Sequence, residues 1–299
     1  MEFDDNRVDT SGLDDRRGGG GGIPGGAIGA GVGGLGVIGL IIALLLGVDP
    51  STLTGASQPQ ITAPTSAATS AASGNLAARC STAEAIATQD DCFVLKSFNE
   101  TNEVWTQEFA RTGQQYKQPR LVYYSGSVQT GGCGSATSAA GPFYCPGDQR
   151  VYIDLNFLNK LQRNYGADGR YAQAYIIAHE VGHHIQNITG IERQVRQAQQ
   201  RNPRQANALS VKMELQADCL AGVWGRLAND NGNVKITQAD YNEALNAASA
   251  VGDDAIMSSA GMRVNPEKFT HGSSAQRQQW FDRGYSQGSM AACDTFNSA

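Results

Sequence analysis

The feature that most constrains this chain of 299 residues is a His-Glu-x-x-His motif that runs from His179 to His183. With 4 His and 10 Glu in the sequence, chance would give such a match on the order of 0.002 times. Apolar residues recur around the motif at helical spacing, and Gly190 is placed to end the helix. The two imidazoles then lie one turn apart on one helix face and can reach a single metal ion. The alternative is that both histidines are ordinary members of a helix surface.

Three carboxylates belong to the predicted metal site. Glu180 is rotated by about 100° from His179, which offers its carboxylate to a metal-bound water rather than to the metal. A catalytic zinc site has three protein ligands, and we predict Glu214 as the third, within a helix predicted from about residue 205 to 228. Asp218 follows one turn later and is expected to accept a hydrogen bond from a ligating histidine, His179 being favoured. A solvated acidic pair on an amphipathic helix is the alternative for Glu214 and Asp218.

Two imidazoles and one carboxylate suit Zn²⁺, one ion per chain, although these ligand types also admit Mn²⁺, Fe²⁺ or Co²⁺. Zinc lowers the pKa of bound water from about 15.7 to about 7, so hydroxide is available at neutral pH. Glu180 would take the proton as the hydroxide attacks a peptide carbonyl, and would deliver it to the leaving amine. The sequence therefore predicts zinc-dependent hydrolysis of a peptide or protein substrate without a covalent intermediate.

The oxyanion of such a reaction needs a further hydrogen-bond donor, and His271 is the predicted candidate. The same stretch also fits a helix start, with Ser273 as the cap and Gln276 three residues later. His184 is rotated by about 100° from His183, off the metal face, and is expected to be structural or to support a ligand. Three other possible donors stay open: Tyr144, Tyr152 and Tyr241.

A long uncharged segment precedes the motif. No charged residue occurs from Gly18 to Val48, and residues 27–48 are apolar with interspersed glycines. About 20 such residues span a bilayer, so we predict one transmembrane helix at 27–48. The arginines before it predict that the Gly-rich segment 1–26 is cytoplasmic and that the catalytic domain is periplasmic or extracellular, on a single-pass protein of the cytoplasmic (inner) membrane. A cleaved signal peptide is the alternative, but the apolar stretch exceeds the usual length of about 7 to 15 residues.

Composition divides the rest of the chain. Residues 51–78 hold 18 Ser, Thr or Ala and no charge, which predicts a flexible stalk over 49–78. Residues 79–299 have ordinary globular composition and a net charge of −1, and are predicted to form the metallopeptidase domain. A near-neutral domain lacks the basic footprint of a nucleic-acid binder, so no nucleic-acid partner is expected. The sequence makes no prediction of the oligomeric state.

Six cysteines follow the apolar segment, and an even number outside the cytoplasm predicts three disulfides, although six cysteines permit 15 pairings. Equal spacing favours Cys80 with Cys92 and Cys133 with Cys145, which leaves Cys219 with Cys293. Reduced thiols would be expected of a cytosolic domain. Zinc ligation by the cysteines is disfavoured because the sequence has no Cys-x-x-Cys pair.

Two β-rich segments, residues 121–124 and 150–155, are bounded by Gly and Pro and predict strands. They could flank the metal cleft, one of them pairing with an extended substrate through its edge, or simply pack on the zinc helix. A further short helix is predicted to open at Thr237 with Asp240 and to run to about Ala248. The predicted fold class is therefore α+β, with a small sheet packed on the metal-binding helices.

The chain resembles the bacterial neutral zinc metallopeptidase family of membrane-anchored proteins. The resemblance implies a zincin-like fold with His179, His183 and Glu214 on zinc and Glu180 catalytic. The glutamate ligand followed by Asp218 also resembles the gluzincin group. The motifs that carry the likeness, in chain order, are residues 14–17 with the following glycine run, 141–145, 151–154, 179–184, 214–224 and 271–277.

Two other functions remain open. The first is a zinc-stabilised binding or scaffold protein of the cell envelope that keeps the ligands without turnover. The presence of Glu180 argues against a scaffold function, because a zinc site without turnover does not need a general base next to a metal-bound water. The second is an amidase that acts on a cell-wall peptide link, which the motif also allows.

Overall fold

The structure is a computed structural model that describes residues 1–17, 76–158 and 169–297. The chain divides into two compact units. The helical unit comprises Met1–Asn6, Lys96–Gln118 and Asn159–Ala299, and the sheet unit comprises Arg7–Leu95 and Pro119–Leu158. Helices and small sheets occur together, which confirms the predicted α+β class.

The strands and helices are short apart from three long helices. The strands are β1 (Glu2–Phe3), β2 (Leu13–Asp15), β3 (Arg120–Tyr124), β4 (Ser127–Gln129), β5 (Ser135–Thr137), β6 (Phe143–Cys145), β7 (Arg150–Asp154) and β8 (Val234–Lys235). The helices are α1 (Ala83–Thr88), α2 (Asp90–Arg111), α3 (Arg170–Ile188), α4 (Ile191–Arg201), α5 (Ala206–Asp230), α6 (Gln238–Ala250), α7 (Asp253–Ser259) and α8 (Ser274–Gln287). The helices predicted around the motif, from residue 205 and from Thr237 are confirmed as α3, α5 and α6.

The sheet unit is built on a four-stranded sheet in the order β2-β3-β7-β6. Strands β2, β3 and β7 are parallel, with Leu121 opposite Val151, and β6 is antiparallel to β7. The two predicted strands are therefore confirmed as β3 and β7. Their side chains are buried along nearly the whole strand, as expected of the central strands of a parallel sheet. A separate hairpin joins β4 to β5.

All three predicted disulfides are present in the structure. Cys80 bonds Cys92 and Cys133 bonds Cys145 within the sheet unit, across 12 residues each. Cys219 in α5 bonds Cys293 across 74 residues within the helical unit. The last bond fastens the C-terminal segment of the chain to the helix that carries Glu214 and Asp218.

The predicted membrane topology is wrong. Phe3 pairs with Val234 and Leu13 pairs with Leu121, so the segment predicted to be cytoplasmic is hydrogen-bonded to the residues predicted to lie outside. Strands on opposite sides of a bilayer cannot share backbone hydrogen bonds. None of the helices in the described parts of the chain combines the length and the hydrophobicity that a membrane crossing requires. The predicted span at 27–48 and stalk residues 49–75 lie outside the described residues.

Close helix crossings hold the helical unit together. A Cβ added to Gly182 of α3 would lie 3.1 Å from the carbonyl oxygen of Ala217 in α5. Helices α5 and α8 approach even more closely, because a Cβ on Gly284 would lie 1.9 Å from the carbonyl oxygen of Cys219. Because glycine has no Cβ, the backbones of α3 and α8 can each approach that of α5 closely at these positions. Side chains of the paired helices near each crossing are then close enough to form hydrogen bonds.

Helix α3 starts at a capped N-terminus. Gly169 takes a positive φ of 107° just before the helix, and a Cβ there would collide with the Glu243 side chain. The Glu243 carboxylate, from α6, accepts a hydrogen bond of 3.0 Å from the Tyr171 backbone N–H. A carboxylate at this end also complements the helix dipole. This contact fixes where the motif-bearing helix begins.

Candidate metal centre

Helices α3 and α5 bring the three predicted ligands together. One ligand atom each from His179, His183 and Glu214 lies within 4.8 Å of the others. His179 Nε2 is 3.2 Å from Glu214 Oε2, and His183 Nε2 is 3.5 Å from Glu214 Oε1. Each carboxylate oxygen of Glu214 therefore faces one imidazole. The spacing of one helical turn within α3 and the close crossing with α5 produce this arrangement.

The donor set fits a zinc ion. Zinc bonds of about 2.0–2.1 Å in a tetrahedral site separate neighbouring ligand atoms by about 3.4 Å. The two measured separations, 3.2 Å and 3.5 Å, bracket that value. The His179 side chain is 2% exposed and that of Glu214 7%, but the His183 side chain is 17% exposed. An accessible ligand on one side is what a catalytic site with an open position needs, whereas a structural zinc site is closed.

Asp218 lies where the sequence placed it, against His179. Its Oδ1 is 2.8 Å from His179 Nδ1, so the imidazole donates from Nδ1 and presents Nε2 to Glu214. Burial lowers the pKa of His179, but the Asp218 charge and the hydrogen bonds to Asp218 and Glu214 raise it more, and the net shift is upward. For Asp218, burial raises the pKa, but Arg277 and His179 lower it below its usual value.

Two residues that form hydrogen bonds with Asp218 were not predicted from the sequence. Arg277 of α8 donates from Nε to Asp218 Oδ2 and from Nη2 to Oδ1, each at 2.8 Å, and it is fully buried. The Tyr175 hydroxyl donates to Asp218 Oδ1 at 2.5 Å. Tyr175 precedes His179 by one turn, which was visible in the sequence. Arg277 could be connected to Asp218 only by knowing how α5 and α8 cross.

His183 is held by a neutral side chain. Its Nδ1 is 2.8 Å from Gln186 Oε1, three residues later on the same helix. Burial lowers the pKa of His183, but the charges of Glu214 and Glu180 raise it, to about 10 overall. For Glu214, burial raises the pKa, yet the two histidines hold it well below its usual value. Glu214 is therefore ionised, as a zinc ligand must be.

Glu180 is buried in α3 at 2% exposure, and its charge acts on His183. Helix geometry rotates it away from the line through His179 and His183. The Glu180 carboxylate is therefore not one of the three grouped ligands.

His271 is a second buried imidazole that a carboxylate orients. Its Nδ1 is 3.0 Å from Asp253 Oδ1, and Asp253 Oδ2 accepts the backbone N–H groups of Thr270, His271 and Gly272. The opposite ring nitrogen, Nε2, is buried and has no hydrogen-bond partner among the described residues. The His271 charge lowers the pKa of Glu214, so the two side chains interact electrostatically. The cap by Ser273 and Gln276 is also present, so the two interpretations of this stretch are compatible.

The remaining candidates have other partners. His184 Nε2 donates to the Lys117 carbonyl oxygen at 2.6 Å, and burial lowers the pKa of His184 to about 4. Tyr152 donates its hydroxyl to Asp148, and Tyr241 donates to Asp282. Tyr144 is a buried residue of β6 in the sheet unit.

A family model described as "Putative neutral zinc metallopeptidase" matches residues 1–296 of the chain. The chain belongs to this family. Among its relatives, "Uncharacterized protein YpfJ" of Escherichia coli K12 is 52% identical over 201 residues, which cover 67% of this chain and 69% of that protein. "Uncharacterized protein Rv2575" of Mycobacterium tuberculosis H37Rv is 39% identical over 266 residues, 86% of each chain. No solved structure matches this chain. The resemblance inferred from the motifs is confirmed at the level of the family.

Proposed function

We propose that this member of the zinc metallopeptidase family is a zincin-like enzyme that hydrolyses peptide bonds in a peptide or protein substrate. The observation that carries the proposal is the grouping of His179, His183 and Glu214 around a space that suits one zinc ion, with the buried carboxylate of Glu180 on the same helix. A bound zinc ion supplies a water of lowered pKa and polarises the substrate carbonyl.

The chain's own residues perform the remaining steps. Glu180 takes a proton from the attacking water at its carboxylate and later returns it to the leaving nitrogen. Asp218, fixed by Arg277 and Tyr175, keeps His179 in the tautomer that carries its proton on Nδ1. Glu214 stays ionised between the two imidazoles.

His271 is the proposed donor to the developing oxyanion. Asp253 accepts from Nδ1, and a ring protonated on both nitrogens then offers Nε2 as the donor, in a loop that three backbone hydrogen bonds to the same carboxylate hold in place. In that form Nε2 is a buried donor with no hydrogen-bond partner in the described part of the chain, which costs free energy. A substrate oxygen that gains negative charge would satisfy it, and only at that stage of the reaction.

The proposal is tested with the full-length protein, wild type and Glu180→Gln, by metal analysis and a peptide-library digest. We expect about one zinc per chain in both proteins, and cleavage by the wild type alone. The variant His183→Ala serves as the control that loses metal. Cleavage by Glu180→Gln at the wild-type rate would refute the role of the base. Zinc binding without cleavage of any peptide would instead support the scaffold function, and cleavage confined to a cell-wall peptide link would support an amidase.

A further inference from the structure

A chain of amide side chains starts at His183 and leads away from the candidate metal centre. Gln186 and Gln216 are both buried, on α3 and α5 respectively, and no sequence motif pointed to them. Gln186 Nε2 donates to the Met213 carbonyl oxygen at 2.7 Å and to Gln216 Oε1 at 3.1 Å. Gln216 Nε2 donates to the Cys293 carbonyl oxygen at 2.9 Å.

Backbone carbonyls fix the direction of every hydrogen bond in this chain. A carbonyl oxygen only accepts, so the atom of Gln186 that faces Met213 must be its NH₂ group. The other amide atom, Oε1, then accepts from His183 Nδ1 at 2.8 Å. His183 therefore donates from Nδ1, and Nε2, 3.5 Å from Glu214 Oε1, is the nitrogen that can bind a metal. The Met213 carbonyl thus determines which nitrogen of His183 is free to bind a metal.

The far end of the chain is fixed in the same way. The Cys293 carbonyl oxygen requires the NH₂ group of Gln216, which leaves Gln216 Oε1 to accept from Gln186. Cys293 is itself bonded to Cys219, one turn from Gln216 along α5. The disulfide holds the carbonyl at the position that Gln216 needs.

We propose that Gln186 and Gln216 are positioning residues in series for His183 as a zinc ligand, and that the disulfide-bonded C-terminal segment anchors them. This inference rests on the proposed zinc site and adds to it. The two histidines are held by different chemistry. His179 is oriented by a charged carboxylate with its own arginine, whereas His183 is oriented by two neutral amides that end on a backbone carbonyl.

The test measures Zn²⁺ affinity of the apo full-length protein by competition with a chromogenic chelator, so no turnover is needed. The variants are Gln186→Met, Gln216→Met and the double variant. Gln278→Met is the matched control, because Gln278 also donates to a backbone carbonyl, that of Leu245, which is not part of the chain of amides from His183. Supporting residues around a metal ligand contribute about 10- to 100-fold in affinity, and we expect Gln186→Met to lose an amount in this range. Gln216→Met is expected to lose less.

A series arrangement makes two sharper predictions. The double variant should bind zinc like Gln186→Met, because removing the second amide has no effect once the first is gone. Gln186→Glu keeps an acceptor for His183 Nδ1 but loses the donor to the Met213 carbonyl oxygen and to Gln216 Oε1, so its zinc affinity should lie between those of Gln186→Met and the wild type. Wild-type affinity in Gln186→Met, or additive losses in the double variant, would overturn the series. A wild-type protein that binds no zinc would instead refute the proposed metal site.

Discussion

Arg277 holds the carboxylate of Asp218 through two parallel hydrogen bonds, Nε to Oδ2 and Nη2 to Oδ1, both 2.8 Å long. Both side chains are almost completely buried. Removal of one partner from a buried ion pair leaves an uncompensated charge. Arg277 therefore compensates the buried negative charge of Asp218, and Asp218 in turn orients the imidazole of His179.

The first prediction concerns this pair. Arg277→Met should lower the free energy of unfolding by about 3–5 kcal/mol, the usual cost of breaking a buried pair. Denaturant unfolding of the apo protein measures it. Arg226→Met is the matched control, because Arg226 pairs with Asp230 at the surface, where an ion pair contributes less than about 1 kcal/mol. Equal stability of the two variants would contradict the structural role assigned to Arg277.

The second prediction separates the oxyanion donor from the metal ligands. His271→Ala should keep its zinc and lower kcat by about 10²- to 10³-fold with little change in KM, because the lost hydrogen bond forms mainly in the transition state. Steady-state kinetics with a cleavable peptide and metal analysis of the same sample measure both quantities. Full turnover by His271→Ala would remove this residue from the mechanism.

The third prediction addresses the crossing of α5 and α8. Gly284→Ala would place a methyl group 1.9 Å from the Cys219 carbonyl oxygen and 2.8 Å from its carbon, so the backbones must separate. Over-packing of this kind costs about 3 kcal/mol at the upper end of its usual range. Thermal unfolding should show a clear loss of stability. Gly12→Ala is the control, since a Cβ there meets nothing within 4 Å; a similar loss in both variants would count against the packing argument.

The fourth prediction is a pH dependence in the sheet unit. Asp91 accepts hydrogen bonds from Arg17, at 2.9 Å, and from Arg79. Burial raises the pKa of Asp91, but the two arginines lower it more, so it lies below the ordinary value of 3.8. Because the folded pKa is depressed, the stabilisation is fully present above pH 3.8 and is lost as the pH falls through the folded pKa.

Urea unfolding of wild type and Asp91→Asn at several pH values tests this dependence. Hydrogen bonds to charged groups contribute about 1.5–3 kcal/mol, and we expect a difference of that order between the two proteins from pH 7 down to about 5. The difference should shrink below about pH 4, where the carboxyl group becomes protonated in the unfolded chain. A difference that stays constant down to pH 2 would contradict the assignment.

Local periodicity was enough to predict which side chains lie together at the candidate metal centre. His179 and His183 share a face because they are one turn apart, and Glu214 and Asp218 do so for the same reason. Arg277 and Asp253 were missed because nothing local links them to their partners. Asp253 meets His271 across 18 residues, and Arg277 meets Asp218 across 59. Those contacts depend on tertiary packing, which helical spacing does not encode.

The membrane topology was wrong for a similar reason. The orientation was inferred from Arg7, Arg16 and Arg17, which precede the apolar segment, because cations are enriched on the cytoplasmic side of a span. Strands β1 and β2 have only two and three residues and no alternation of apolar and polar side chains. Strands this short give no recognisable signal, although their backbone pairing is what excludes the inferred orientation.

The pairing of β1 with β8 also determines the order of assembly. Val234, the partner of Phe3, is made roughly 230 residues after it, which takes on the order of 10 to 50 s at ordinary rates of synthesis. During that interval β1 lacks its partner strand β8, and its edge is available to other chains. This small two-stranded sheet therefore forms only after the whole segment between β1 and β8 has been made, and a chaperone that shields unpaired strand edges would act on β1 during that interval.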